Sequence, residues 1–227
     1  YKAYPEMEKI PFVKRQGFMD MGGLQGWRGE KEIGLTPYSE DPLGTLLHES
    51  QHYIQEKEGF GLGGNADTVW NVIPEQEKAK AAEQAVNKLS ENINRQSNEL
   101  KIAEGLLNHP DLNSGYNASQ KIFGKPNWEL DPAQKEGLFL ARYPDSYQRA
   151  VDKLQKMHSD LASIQSGDVE AVKKNTNMHE LYKRLHGETE ARNVPERRKM
   201  TPEERKARPA WETQEYPWEQ QFVSKGK

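Results

Sequence analysis

The chain has 227 residues, 30% of them charged and 34% hydrophobic, with a formal net charge of -3 and no cysteine. That length suits one large domain or two small ones. The balanced charge gives no general electrostatic case for nucleic acid, and the lack of cysteine excludes disulfides and thiolate-held metals. No run approaches the eighteen apolar residues of a membrane span, and no signal-peptide pattern opens the chain. It begins at Tyr1 without an initiator methionine and reads as a piece excised from a longer protein.

In chain order, residues 1–14 hold a turn at Pro5 and a strand interrupted by Pro11. A glycine-rich bend over 17–26 leads to "WRGEKEIGL", 27–35, which reads as an exposed or edge strand. Asp41 before Pro42 is an N-cap followed by a first-turn proline, so a helix starts there. It should end near Glu58, because "GFGLGG" cannot readily continue it. A long helix follows within 66–108, with its apolar face on Ala82, Val86, Leu89 and Ile93. Residues 109–137 read as turns, and a second long helix is expected from Ser146 to Ile164, antiparallel to the first. After the loop "QSGDVEAVKKNTN" comes one helix over 178–194, then a short capped helix at Thr201-Pro202-Glu203-Glu204 and an extended tail. The expected fold class is α+β and helix-rich. A core from 1–65 and 166–227 carries a small N-terminal sheet, and a long helical hairpin over 66–165 is inserted into it.

The chemistry-bearing pattern is His48-Glu49-Ser50-Gln51-His52. Residues four apart share a helix face, so both imidazoles can reach one ion, and Glu49 beside them can take a proton from water on that ion. Leu46, Leu47 and Ile54 can bury part of this helix, whereas Gln51 and Gln55 carry no signal. A catalytic zinc takes three protein ligands, and the next histidine in the chain is His109. His109 lies in a turn, His158 on the inserted hairpin and His179 near a helix start, while His186 points away from the favoured stripe. That stripe carries Leu181, Leu185, Glu188 and Arg192 at offsets 0, 4, 7 and 11. A carboxylate on a core-facing stripe is costly unless paired or metal-bound, which makes Glu188 the geometric choice for the third ligand over Glu190. Gly187 and Ala191 are small enough to let the histidine helix come close. The competing expectation is a buried Glu188–Arg192 ion pair without metal. Tyr182, Tyr116 and His186 are candidates for stabilising a reacting oxyanion.

The segments "LLHESQHYIQEKEGFGLGGN" and "YKRLHGETEARNVPERRKMTPEERKARPAWET" resemble blocks of a zincin-like metallopeptidase domain. Such domains are embedded in large polyvalent proteins of phages and conjugative elements. "YPEMEKIPF" and "GEKEIGL" are similar to earlier blocks of that domain, so the likeness covers both ends of the chain and little of the middle. Glu188-Thr189-Glu190-Ala191 also resembles the Glu-x-x-Ala of gluzincin-type peptidases, which selects Glu188. The separation of 136 residues from His52 to Glu188 is far longer than in compact gluzincins.

The resemblance implies a zinc metallopeptidase that binds zinc through His48, His52 and Glu188, with Glu49 as general base and Tyr182 and His186 as further catalytic candidates. It implies a protein or peptide substrate and a cytoplasmic setting, encoded by a phage or mobile element and delivered within a larger polyprotein. The alternative is a catalytically inactive zincin-like scaffold that binds a protein partner through helices 75–105 and 146–164. The basic run "ERRKMTPEERKAR" is interleaved with acidic residues and does not favour nucleic acid.

Overall fold

The computed structural model describes residues 3–14, 26–28, 32–36, 39–61, 63–64 and 69–223. The glycine-rich bend expected over 17–26 lies almost wholly outside them. Two compact units emerge, Tyr1–Glu75 with Asn177–Lys227, and Gln76–Thr176 between them in sequence. These boundaries fall somewhat later than 65/66 and 165/166.

In the first unit a short 3-10 turn, Pro5–Lys9, precedes strand β1, Phe12–Lys14. Strands β2, Gly26–Arg28, and β3, Ile33–Leu35, complete a sheet of order β1-β3-β2. β1 runs parallel to β3 with Phe12 opposite Ile33, and β2 runs antiparallel to it with Trp27 opposite Gly34. The single edge strand expected over 27–35 is therefore two strands, of which β3 is central. Ile33, 1% exposed, is buried, so β3 does not lie open to solvent.

Helix α1, Pro42–Glu58, packs on β2 and β3. Asp41 caps it by accepting from the Gly44 N–H at 2.9 Å, and Gly59 ends it in the left-handed conformation at φ 68°. Both boundaries agree with the expectation from Asp41-Pro42 and the glycine run.

Helix α2, Glu75–Leu106, opens the second unit. Its buried face runs through Ala81, Ala85, Leu89, Ile93, Leu100 and Ala103, so the stripe starts one residue earlier than Ala82 and Val86, which are only half-buried. Two helices then occupy the region expected to be turns, α3, Ala118–Phe123, and α4, Pro132–Arg142. α4 is nucleated by a capping box, in which Asp131 accepts from the Gln134 N–H while the Gln134 side chain accepts from the Asp131 N–H. Helix α5, Pro144–Gln165, follows directly. Tyr147 near its start donates to Glu104 near the end of α2 at 2.9 Å, and Lys153 acts on Glu99, so α5 runs back along α2. The supposed loop after α5 contains α6, Val169–Asn175, capped by Asp168.

The second unit closes on Leu100, Ala103, Leu106, Leu130, Leu138 and Leu140, with Tyr147 and Leu154 packed against them. Gly137 lets α4 approach α2 closely, since a Cβ there would stand 2.5 Å from Ile102 Cγ2. Tyr116, 84% exposed, belongs to this unit.

The chain then returns to the first unit. The helix expected over 178–194 is two, α7, Met178–Lys183, and α8, His186–Arg198. Leu185 between them is extended and bridges Phe222 in the tail. The His186 N–H donates to the Phe222 carbonyl and the Phe222 N–H to the Arg184 carbonyl, both at 2.8 Å. Tail backbone thus captures groups that a continuous helix would have paired internally. A last helix, α9, Pro202–Ala207, carries the Thr201–Glu204 capping box expected from the sequence. Among the described residues no helix is long and apolar enough to cross a membrane.

Candidate metal centre

α1 and α8 pack against each other and run antiparallel. Arg198 near the end of α8 pairs with Asp41 at the start of α1 at 2.8 Å, while Gly187 and Glu190 at the start of α8 meet Gln55 in α1. Gly187 and Ala191 are both buried on the side where the helices meet. This places Glu188, in the first turn of α8, opposite two histidines one turn apart on α1. A helix N-terminus favours a carboxylate at that position.

The three side chains converge. His48 Nε2 and His52 Nε2 are 3.1 Å apart, His52 Nε2 is 3.3 Å from Glu188 Oε1, and His48 Nε2 is 3.6 Å from Glu188 Oε2. The imidazole rings meet edge-on at 88°. Among the described residues these three form a group that could hold a metal ion.

Glu188 is 1% exposed, so its charge must be met inside the protein. Tyr182 donates to its Oε2 at 2.6 Å and the Gly64 N–H to its Oε1 at 3.1 Å. Arg192 does not take part in those bonds. It turns instead to Glu215, at 3.1 Å, and to the Lys183 carbonyl, so the expected Glu188–Arg192 pair does not form.

Protonation follows this geometry. Burial, helped by the neighbouring His52, lowers the His48 pKa to about 4 and keeps that ring neutral. Burial pulls His52 down too, but the hydrogen bond and charge of Glu188 outweigh it, and the net shift is upward. Burial opposes ionisation of Glu188, yet its bonds to His52 and Tyr182 hold it below its usual value. Burial and the Glu188 charge push the Tyr182 phenol far up, so it remains a donor. Glu188 and His52 thus each favour the charged form of the other.

Gln55, which carried no signal in the sequence, is 0% exposed and central. Its Nε2 donates to the Gly187 carbonyl and to Glu190 Oε2, each at 2.8 Å. Two acceptors on the nitrogen fix the orientation of the amide, so Oε1 accepts from His52 Nδ1 at 2.9 Å. His52 consequently presents Nε2 to Glu188 and His48. Gln55 lies three residues after His52, a helical neighbour, but its meaning depends on α8, far away in the chain.

The glycine run after α1 does more than end the helix. A Cβ on Gly63 would stand 2.5 Å from His52 Cε1 and closer still to Glu188 Oε1. Gly63 therefore lies against the cluster as only unsubstituted backbone can, and the next residue, Gly64, gives its N–H to Glu188.

Other sequence candidates fall as follows. Glu49 is 8% exposed, and its charge acts on both His52 and Tyr182. Tyr182 reaches the centre, where its hydroxyl is committed to Glu188. His186 is engaged by the tail, with its Nδ1 2.6 Å from Gln221 Oε1 and its ring against Trp218. Glu190 lies behind the cluster as an acceptor for Gln55. His109 accepts from the Asp111 N–H, and His158 and His179 are exposed.

The chain matches no protein-family model, no curated protein and no solved structure.

Proposed function

We propose that the chain is a zinc-dependent metallopeptidase of zincin-like, gluzincin type, with His48, His52 and Glu188 as metal ligands. The observation that carries this reading is the three-residue cluster itself, with a buried carboxylate between two imidazoles and Arg192 bonded elsewhere. Tetrahedral zinc at roughly 2.1 Å from nitrogen and oxygen sets adjacent donors about 3.4 Å apart. The two imidazole nitrogens are 3.1 Å apart and face different oxygens of Glu188, His52 at 3.3 Å from Oε1 and His48 at 3.6 Å from Oε2. One ligand atom from each residue lies within 4.8 Å of the others, close to the scale of that edge. Two neutral imidazoles and one carboxylate are also the donor set of a catalytic rather than a closed zinc site, since one position stays free for water or substrate.

Bound there, zinc would supply Lewis acidity to the substrate carbonyl and a water acidified to near neutrality. The remaining work belongs to side chains. Glu49 accepts the proton of the attacking water and passes it to the departing amine. Tyr182 and Gly64 hold the Glu188 carboxylate in place, and Gln55 holds His52. β2, at an edge of the sheet on which α1 packs, offers backbone for an extended peptide to add as a further strand.

Metal content and peptide hydrolysis of the purified chain test the reading. One zinc per chain is expected, absent from His48→Ala and Glu188→Ala. Glu49→Gln should keep the zinc and lose hydrolysis by about 10²- to 10⁴-fold, the usual contribution of a general base. A wild-type chain that takes up no zinc on reconstitution sinks the proposal.

A further inference from the structure

Helices α7 and α8 are divided at a point where the sequence offers no stop. Between Met178 and His186 there is neither glycine nor proline, and Glu180, Leu181, Lys183, Arg184 and Leu185 are good helix formers. Yet Leu185 is extended, at φ -59° and ψ 133°, and gives α8 no side-chain cap.

Backbone from the tail holds the division open. The Phe222 N–H donates to the Arg184 carbonyl, and the Phe222 carbonyl accepts from the His186 N–H, both at 2.8 Å. In an unbroken helix the Arg184 carbonyl would take the Glu188 N–H, and the His186 N–H would go to the Tyr182 carbonyl. Side chains reinforce the tail's grip. Arg184 Nε donates to the Gln220 carbonyl at 2.8 Å, its guanidinium lies 4.3 Å over the Phe222 ring, and His186 Nδ1 is 2.6 Å from Gln221 Oε1. The earlier part of the tail is tied separately, through the Ala210 carbonyl to Asn193 at 2.8 Å and Glu215 to Arg192 at 3.1 Å. Residues 220–222 can therefore let go without freeing the whole tail.

The division decides what meets Glu188. Tyr182 and Glu188 are six residues apart, so in one continuous helix they would stand about 240° apart around the axis and about 9 Å apart along it. Here the Tyr182 hydroxyl donates to Glu188 Oε2 at 2.6 Å. Thr189 Oγ1 and the Lys183 carbonyl, also six residues apart, meet at 2.9 Å and need the break equally.

We propose that residues 220–222 are a positioning clip: their backbone holds 178–198 as two helices, and only in that form does Tyr182 reach Glu188. Release of the clip favours a single helix and turns Tyr182 away from the carboxylate. One segment thus has two packings, and a third element selects between them. The effect on zinc rests on the metal-centre reading, whereas the division of the helix stands apart from it.

Phe222→Pro in the full chain removes both the N–H given to Arg184 and the buried ring. In the metal-free variant the Leu185 Cα chemical shift should move from its extended to its helical value. Zinc affinity, measured by competition with a chromophoric chelator, should fall about 10- to 100-fold, the usual loss when a ligand's orienting partner is removed. Adding His186→Pro should restore both readouts. Proline suits the first residue of α8, keeps the residue before it extended and cannot sit inside a continuous helix. Trp211→Ala, in the tail but 70% exposed, should change neither. A Leu185 that stays extended in Phe222→Pro, or an undiminished zinc affinity, overturns the clip and leaves the metal centre standing. If Phe222→Pro alone unfolds the first unit, the double variant decides: a native Leu185 shift supports the clip, and continued unfolding overturns it. If wild type binds no zinc, the peptidase reading falls, and the Leu185 shift still decides for or against the clip.

Discussion

The leucine cluster of the second unit and the α1–α8 pair of the first differ in how much polar side chain they bury. The second unit closes on Leu100, Ala103, Leu106, Leu138 and Leu140. The helix pair α1 and α8 in the first closes on Glu49, Ser50, Gln55, Glu188, Thr189 and Asn193, all buried, while Leu46, Leu47 and Ile54 of α1 are only half-buried. Each leucine hidden in the second unit contributes about 1.5–3 kcal/mol by leaving water. A buried carboxylate does the reverse and costs several kcal/mol unless its partners are in place. The contrast teaches that the leucine cluster stabilises by leaving water, whereas the α1–α8 contact depends on how completely its polar groups are paired.

Perturbations should respect that division. Leu138→Ala should cost about 2–5 kcal/mol, read as a lowered melting temperature or urea midpoint. Zinc affinity of the folded fraction should not change, and a parallel loss of affinity would break the division. Gln55→Leu should weaken zinc by about 10- to 100-fold in an equilibrium competition, while Gln55→Glu, which keeps an acceptor for His52, should recover part of the loss.

The pH dependence sharpens the contrast further. Above pH 6.5 His48 is already neutral, with its pKa near 4, and Glu188 is already ionised, so His52 is the group that titrates. Its raised value means that the metal-free fold gains from the His52 proton below pH 6.5 and loses that gain as pH rises through the folded value. On the proposed reading, zinc would have to displace the same proton. Apparent affinity should therefore increase about tenfold per pH unit through that range and then level off. Calorimetry in two buffers of different ionisation enthalpy would count the proton released.

The smallest effect belongs to a buried carboxylate of the second unit. Burial, and then the nearby Glu136, raise the pKa of Glu99, so its ionised form is disfavoured in the fold. Glu99→Gln should stabilise the protein by less than ~1 kcal/mol at neutral pH, because the group is close to Arg95 and only partly desolvated. The difference should shrink as pH falls through the Glu99 value.

Local signals were legible and distant ones were not. Asp41-Pro42 and Thr201-Pro202 announce helices through caps contained in four residues, and both helices form. Asp131-Pro132-Ala133-Gln134 carries the same signal, but the prolines and tryptophan before it made the stretch look like turns. The break between α7 and α8 has no local cause, because it is made by Phe222 pairing its backbone across Leu185. The helical stripe that selected Glu188 therefore spans two helices, and Glu188 reaches the histidines from a first turn rather than from a continuous face. His48, His52 and Glu188 could be chosen from spacing and burial cost. Gln55, Gly63 and Gly64 could not, because each matters only through atoms of the partner helix or its approach.

The long interval between the histidine helix and Glu188 has a kinetic consequence. Closing a flexible loop of ~100 residues costs about 4 kcal/mol in chain entropy, and contacts so distant in sequence are slow to form. If Gln76–Thr176 collapses first on its own leucines, most of that disorder is gone before α1 meets α8. The cluster is then the last piece assembled, and zinc uptake becomes a clock for completed folding. On dilution from denaturant, metal capture should lag behind the return of helical circular dichroism, and simultaneous recovery would argue for a nucleus at α1 and α8 instead.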